Sequence, residues 1–283
     1  MKTLLSGKET SAGLLAELRA KAEALPEAPA LSIIRVGEKK SDIAYEKGVR
    51  KKAEQAGVSV FTHVLPEDVT EEILIDTIHR ENENTEVDGI LLFLPLPAGM
   101  DEKRIINEIA PEKDMDGATR ASMLGIYTGS GEGYAPCTPE AVMRILEYYN
   151  VDLTGKNVVI VGRSLVVGKP LSMMMLKKNA TVTICHTKTE NLSEITKKAD
   201  IIVAAAGHIG TITGEHVTEG QIVIDVGINF SESGKMTGDV VFDETAEIVD
   251  AITPVPGGVG AVTSSVMLAH VLQHAGKRMK GAV

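Results

Sequence analysis

The sequence predicts an α/β protein built on parallel sheets and divided into two domains. Short apolar runs alternate with amphipathic stretches along most of the chain, which is the rhythm of β-α-β units. The 283 residues are more than one hydrophobic core usually organises. The composition is 43% hydrophobic but only 3% aromatic, with four Phe, five Tyr and no Trp. The core must therefore be filled by Val, Ile, Leu, Met and Ala, the residues of strands covered on both faces.

The elements follow in order. Leu31–Val36 reads as a strand, about Ser41 to Gln55 as a helix, and Val58–Val64 as a second strand. Thr70 is placed to cap a helix in which Ile73, Leu74, Thr77 and Ile78 share a face. Ile90–Leu94 is continuously apolar, as for a buried strand, and Asp101–Ile109 reads as a short helix. Periodicity vanishes from Lys113 to Pro136, a stretch holding Gly117, Gly125, Gly129, Gly131 and Gly133, which marks a functional or linking segment. Thr138-Pro139-Glu140 then opens a helix, with Thr138 as N-cap and the acid near the positive helix end. A second series places strands at Val158–Val161, Thr181–Cys185, Ile201–Ala205, Ile222–Val226 and Ala251–Thr253. Its helices fall at about Gly168–Lys178 and Asn191–Lys198, and the last helix at about Thr263–Met279.

Composition excludes several classes. Charged residues make up 24%, too ordinary a balance for disorder. Asp plus Glu number 39 against 29 Lys plus Arg, a net charge of −10 that repels a phosphate backbone and argues against nucleic acid as a partner. Met1 to Thr10 lacks the apolar stretch of a secretory signal, and the longest apolar run, Ile90–Ala98, is broken by Pro95 and Pro97. Cys137 and Cys185 form no CxxC pair and suit a reducing compartment. A cytoplasmic protein without membrane contact is expected. His270 and His274 stand at i, i+4 without a partnering HExxH acid, and read as a helix end complementing its dipole; no metal site is expected.

One turn carries chemistry on its face. The strand Val158–Val161 runs into Gly162-Arg163-Ser164-Leu165-Val166-Val167-Gly168-Lys169-Pro170. A glycine-bearing turn between a strand and a helix N-terminus presents N–H groups and a positive dipole to phosphate. The spacing is neither the usual GxGxxG nor a P-loop. Arg163 adds a fixed positive charge suited to a ribose 2′-phosphate. The next strand ends in Cys185-His186-Thr187-Lys188-Thr189, without the acid that reads a free ribose, so NADP is favoured over NAD.

Seven phrases in order then carry a resemblance: Pro111–Gly117, Pro136–Pro139, the Gly162–Pro170 turn, Ala180–Thr189, Val223–Asn229, Gly238-Asp239-Val240 and Thr253–Gly260. Over essentially its whole length the chain resembles the methylenetetrahydrofolate dehydrogenase/cyclohydrolase family, with Ile252–Gly260 its most specific run. The resemblance implies two α/β domains around a cleft: a folate-binding catalytic domain, 1–140 plus 264–283, and a Rossmann-like NAD(P)-binding domain, 141–263. It implies a homodimer. It implies oxidation of 5,10-methylenetetrahydrofolate to the 5,10-methenyl form with hydride passing to the nicotinamide, and in many members hydrolysis to 10-formyltetrahydrofolate. Carried onto this chain, Tyr45 stacks on the folate rings, Asp116 holds the pterin, and Pro95, Leu96, Gly257 and Gly258 line the substrate. Gly162, Arg163, Ser164 and Thr187 hold the cofactor phosphates, Ile228 lies near the nicotinamide, and Thr138 belongs to the cofactor set. Read alone, Asp116 could equally cap a loop, as could Asp114.

The departures concern hydrolysis. The family's Tyr-x-x-x-Lys is Tyr45-Glu46-Lys47-Gly48-Val49 here, and its Gln-Leu-Pro-Leu-Pro is Phe93-Leu94-Pro95-Leu96-Pro97. Val49 and Phe93 thus stand where the family has the Lys credited with hydrolysis and its supporting Gln. The Ser of Ser-x-x-Tyr is Asp42, and Ala261-Val262 replaces a Pro-Met. Hydride transfer needs placement, whereas hydrolysis needs a proton-handling group, so weak or absent cyclohydrolase activity is expected. The alternatives are a fully bifunctional enzyme and a non-catalytic NADP- or folate-binding regulator. Lys52, two turns beyond Tyr45, has three readings: a solvated face shared with Lys47, Arg50 and Lys51, attraction for a polyglutamylated folate tail, or a displaced catalytic ammonium.

Overall fold

A computed structural model describes residues 3–231 and 233–281. In chain order the elements are β1 (Thr3–Leu4), α1 (Gly7–Glu23), β2 (Ala30–Val36), α2 (Lys40–Ala56), β3 (Ser59–Leu65), α3 (Glu71–Glu83), β4 (Gly89–Leu92), α4 (Glu102–Ile106), α5 (Arg120–Thr128) and α6 (Cys137–Tyr148). They continue as β5 (Asn157–Val161), α7 (Gly168–Lys177), β6 (Thr181–Cys185), α8 (Leu192–Thr196), β7 (Ile201–Ala204), β8 (Ile222–Asp225), β9 (Asn229–Phe230), β10 (Met236–Thr237), α9 (Phe242–Ile248), β11 (Ala251–Ile252) and α10 (Thr263–Arg278). The α/β alternation expected from the sequence is present, and two compact units divide the chain.

The first unit comprises Gly13–Cys137 and the chain from Ser264 onward. Its sheet has the order β3-β2-β4, with both neighbours parallel to β2. Every residue of β2 is buried, including the polar Ser32 and Arg35, as expected of the central strand of a covered sheet. α2 turns Val49, Ala53 and Ala56 inward. Thr70 caps α3 by accepting the Ile73 N–H, as expected, but the inward stripe is Leu74, Ile75, Thr77 and Ile78, and Ile73 is exposed. α10 completes the unit. His270 and His274 lie within that helix and are buried, at 2% and 3% exposure, so they do not complement a helix end as expected. Near its C-terminus Arg278 Nε donates to Asp88 Oδ1 at 2.8 Å, and Asp88 Oδ2 accepts the Ala30 N–H at 2.9 Å.

The second unit comprises the chain up to Ala12 and Thr138–Thr263. Its parallel sheet has the order β1-β11-β8-β7-β5-β6. β5 begins the series, yet β6 lies on one side of it and β7 on the other, so the order reverses at β5/β7. In open α/β sheets ligands bind outside the carboxyl ends of the strands at such a point. The core there is aliphatic: Val159, Val161, Ile202, Ala204, Val223 and Ile252 are buried.

The expected boundaries change at the N-terminus, where 1–140 was assigned to the folate domain. Thr3 and Leu4 pair with Ala251 and Ile252, so β1 is the edge strand of the second sheet. Met1, Lys2, Glu232, Ala282 and Val283 lie outside the described residues. Two further expectations shift. The segment read as elementless contains α5, capped by Thr119, and α6 begins at Cys137, so Thr138 sits inside the first turn and does not cap it. No described helix is long and apolar enough to cross a membrane.

Removing the cation from a fully buried carboxylate leaves a charge without its partner. Arg278→Ala is expected to lower stability by about 2 kcal/mol, because the guanidinium itself is part-exposed. Urea denaturation at neutral pH measures it.

Candidate functional site

In the first unit, α2 and the segment after β4 bring two rings together. Tyr45 and Phe93 have centroids 5.3 Å apart and planes tilted by 51°. Phe93 is buried because its N–H extends the sheet ladder to the Ile34 carbonyl. Val49, one turn beyond Tyr45 on α2, is 1% exposed. Val49 thus belongs to the buried face of α2, and Phe93 is the apolar neighbour of the tyrosine ring. Pro95 is exposed, while the Leu96 side chain, expected at the substrate, belongs to the core with Leu92 and Ile105.

The acids of the Lys-Asp-Met-Asp-Gly phrase separate by function. Asp114 is 1% exposed and accepts the Ala118 and Thr119 N–H groups at 3.0 and 2.8 Å and the Ser122 hydroxyl at 2.7 Å. It is the loop cap. Asp116 remains open to solvent although protein surrounds it. That enclosure, reinforced by Asp114, raises its carboxyl to about 6, against the opposing pull of a Cys137 hydrogen bond and His270. The Tyr45 hydroxyl is also raised, by burial first and then by Asp116 and Cys137. His270 Nδ1 meets the Met115 carbonyl oxygen at 2.8 Å and its ring stacks on Tyr134 at 4.7 Å. Neither Cys137 nor His270 was singled out for the site by sequence; the signal available was their convergence on Met115-Asp116, which only the fold reveals.

Lys52 does not lie on a solvated face. It is half-buried, and desolvation lowers its ammonium to about 8. Lys47 and Lys51 are exposed, and Arg50 pairs with Glu46 and Thr62.

In the second unit, the β5–α7 turn stands at the strand-order reversal. Gly162 has φ +141°, and a Cβ there would run into the Ala205 carbonyl oxygen beyond β7. A Cβ on Gly168 would meet the Gly162 carbonyl oxygen. Both glycines are required for the turn to close on itself. Ser164 accepts the Val167 N–H at 3.0 Å, and Arg163, Ser164, Leu165 and Val166 are exposed. At the end of β6 the Thr189 hydroxyl accepts the His186 N–H at 2.8 Å, which folds back a turn whose tip carries exposed Thr187 and Lys188. An uncapped helix N-terminus, an exposed Arg, and a β6 end whose tip carries Thr187 and Lys188 fit a dinucleotide bearing a 2′-phosphate.

The same unit has a pocket lined by Ile228, Met236, Gly257, Gly258, Gly260 and Lys8. Gly257 and Gly258, expected with the substrate residues, thus share a pocket with Ile228. Gly257 has φ +103°, and a Cβ on Gly7 would strike the Gly258 carbonyl oxygen, so the start of α1 packs onto the Pro-Gly-Gly loop. Sequence reading passed over Lys8 because nothing local ties residue 8 to residue 257. The pairing of β1 with β11 does.

The sequence matches the tetrahydrofolate dehydrogenase/cyclohydrolase catalytic domain over residues 5–116 and the NAD(P)-binding domain of the same family over residues 136–279. It is 45% identical over 278 residues to the bifunctional protein FolD of Clostridium botulinum (strain Langeland), an alignment covering 97% of this chain and 99% of that one. Among solved structures, the bifunctional enzyme FolD of Campylobacter jejuni superposes with a TM-score of 0.94 at 40% identity, covering 98% of this chain and all of that one. The Trypanosoma brucei methylenetetrahydrofolate dehydrogenase-cyclohydrolase, solved with NADP and an inhibitor, superposes at 0.89 with 32% identity, covering 98% of each chain.

The Asp116 carboxyl is expected to titrate near 6 in the free protein, protonated below and ionised above. Carbon-13 NMR of labelled aspartate reads that midpoint. Cys137→Ala removes a hydrogen bond to the ionised form and is expected to move it higher. A wild-type midpoint at about 4, the ordinary value, contradicts the geometry.

Proposed function

The chain belongs to the tetrahydrofolate dehydrogenase/cyclohydrolase family, and we propose that it is a redox specialist in it, with cyclohydrolase activity weak or absent. It is an NAD(P)-dependent dehydrogenase, and NADP is its cofactor. The single observation behind the specialisation is that Val49, one turn beyond Tyr45 on α2, and Phe93, against the Tyr45 ring, are both apolar and buried.

The first unit's residues act on the folate. Tyr45 offers a ring face for stacking, and Phe93 supports that ring from the side. Asp116, ionised at neutral pH, accepts hydrogen bonds from the pterin's N–H donors. Asp114 fixes the loop so that Asp116 holds its place. In the second unit Gly162, Arg163, Ser164 and Thr187 hold the phosphates, and Ile228 with Gly257 and Gly258 borders the nicotinamide. When bound, NADP supplies the hydride acceptor. No proton moves at the donor carbon, so placement and exclusion of water suffice for oxidation. Val49 and Phe93 provide the exclusion. Hydrolysis of the methenyl product needs a group that handles protons, a role worth about 10²–10⁴-fold, and neither side chain can fill it.

A fully bifunctional enzyme is the second reading. Lys52 favours it, since a half-buried ammonium lowered to about 8 is poised for proton transfer near neutral pH. A homodimer is proposed as well. Among the described residues one edge of β3 has no strand beside it, and β3 exposes Phe61 and Val64, the kind of edge that a second copy covers. The buried free thiols of Cys137 and Cys185 suit the cytoplasm.

Two measurements test this reading. Methenyltetrahydrofolate is supplied to wild type and to a Val49→Lys, Phe93→Gln double variant, with dehydrogenase turnover followed in parallel. Wild type is expected to oxidise methylenetetrahydrofolate yet barely exceed buffer in hydrolysis, and the double variant to gain about 10²-fold or more. Fast wild-type hydrolysis abolished by Lys52→Met overturns the specialist in favour of the bifunctional reading. Separately, Arg163→Ala is expected to raise KM for NADP about tenfold or more and leave that for NAD nearly unchanged. Equal effects on both would remove Arg163 from the 2′-phosphate.

A further inference from the structure

We propose that Asp225 and Asp239 form an interlocked carboxylate pair that positions the loops around Ile228, making both residues positioning residues for hydride transfer. The proposal rests on the dehydrogenase reading above and goes beyond the residues it uses.

Asp225 ends β8 and Asp239 follows β10; they are 3% and 0% exposed. Asp225 Oδ1 accepts the N–H groups of Gly227 and Asp239, each at 2.9 Å, and Oδ2 accepts that of Val240 at 3.1 Å. Its own N–H donates to the Thr253 hydroxyl at 2.7 Å. Asp239 Oδ2 accepts the N–H groups of Ala206 and Gly207 at 2.6 and 2.9 Å, and Oδ1 accepts the Asn229 side-chain amide at 2.9 Å. Four segments meet on this pair: the loop leaving β7 at the strand-order reversal, the loop leaving β8, the chain after β10, and the end of β11.

The two glycines of the segments make the interlock possible. A Cβ on Gly227 would collide with the Asp239 carboxylate, and a Cβ on Gly238 with the Asp225 carboxylate. Each carboxylate therefore rests on the glycine that neighbours the other. Only a pure acceptor can serve, since the groups aimed at it are N–H donors. Two buried acids side by side are costly to desolvate, and a core brace could be apolar. Their position explains the choice. They sit where loop amides at the carboxyl ends of the strands have no ladder partner, and where ligands bind in such sheets.

Ile228 stands between the two gripped neighbours, Gly227 and Asn229. It is 60% exposed and lines the pocket with Lys8 and the Pro254–Ala261 loop. Its own side chain is not pinned by the core, so the carboxylates fix it through the backbone. Hydride transfer is sensitive to sub-ångström placement, which is the demand such a clamp meets.

The test uses Asp239→Asn and the pair Asp239→Asn/Asn229→Asp. In the single variant an NH₂ group faces the Asn229 NH₂, and the second change returns an acceptor. Amide hydrogen exchange on cofactor-free protein is read at Ala206, Gly207 and Gly227. Kinetics give kcat and KM for NADP. Calorimetry with 2′,5′-ADP reports on the Gly162 turn alone. The single variant is expected to exchange faster at those amides and to lose about 10- to 100-fold in kcat. KM for NADP should change far less, 2′,5′-ADP affinity should hold, and the double variant should recover much of kcat. Unchanged kcat, no recovery in the double variant, or parallel loss of 2′,5′-ADP affinity overturns the proposal. If Asp239→Asn does not fold, Asn229→Ala breaks only the Oδ1 bond at a half-buried position. Faster exchange at Ala206 and Gly207 with lowered kcat supports the clamp, and wild-type behaviour overturns it. An inactive wild type defeats the dehydrogenase reading, whereas an active wild type with an indifferent Asp239→Asn defeats the clamp alone.

Discussion

Parallel strands end in loops whose N–H groups no neighbouring strand can satisfy, and the way this chain buries those groups shapes everything else in it. Its device is the buried aspartate. Asp88, Asp114, Asp225 and Asp239 are each 3% exposed or less, and each accepts at least one backbone N–H from a loop or strand start. A carboxylate presents acceptors only, so one residue gathers several donors where a hydroxyl or an amide would bring a competing donor. The charge must be answered. Arg278 answers Asp88, and ordered amides answer the others. Loops held in this way can carry function without a covering element, which suits an enzyme whose reactive parts lie at strand ends.

That device also explains how two acids in one short phrase differ. Asp114 is consumed by Ala118, Thr119 and Ser122. Asp116 is left with an open lone-pair face and a neighbouring negative charge. Its enclosure first, and that charge second, raise Asp116 to about 6 but leave it ionised at neutral pH. An aspartate held this way binds a neutral donor array well, and releases it as the pH falls. The loop cap contributes to the binding acid's environment, since the Asp114 charge adds to the effect of enclosure on Asp116.

The sequence revealed what depends on local pattern. β6 matches its expected bounds and the other strands the sequence predicts lie within a residue or two: β4, β5, β7 and β8 are buried aliphatic runs, while β3 and β6 are part-exposed edge strands rich in β-branched residues. The Gly162 turn was legible because glycine spacing and the strand before it are local too. What failed is informative. α5 buries Ser122 and Gly125 and exposes Leu124 and Tyr127, so a search for apolar periodicity passes over it. A Cβ at Gly125 would strike the Glu132 carbonyl oxygen, which shows that close approach holds this helix, with little help from side-chain burial. α1 was passed over although Leu14, Leu15, Leu18 and Ala22 form a buried stripe on it, and β1 could not be read because its partner strand, β11, lies near the other end of the chain. His270 of α10 looked superficial because its partners, Met115 and Tyr134, lie far along the chain.

The proposed loss of hydrolysis has a physical coherence that a single substitution would lack. Removing one member of a buried polar pair strands the other, at a cost of about 1–3 kcal/mol; replacing both by apolar groups of suitable shape can be nearly neutral. On the proposed correspondence, Val49 and Phe93 take the places of both the family's Lys and its Gln, so neither would be left facing an orphan. The replacement also does something positive. Phe93 sits 5.3 Å from Tyr45 and supports a ring that is otherwise half exposed. The redox step requires a firm stacking platform and a dry surface. The hydrolytic step requires a wet one with a titrating group. A wall that serves the first so directly works against the second, and that opposition, more than the absence of one lysine, is why the two activities would part here.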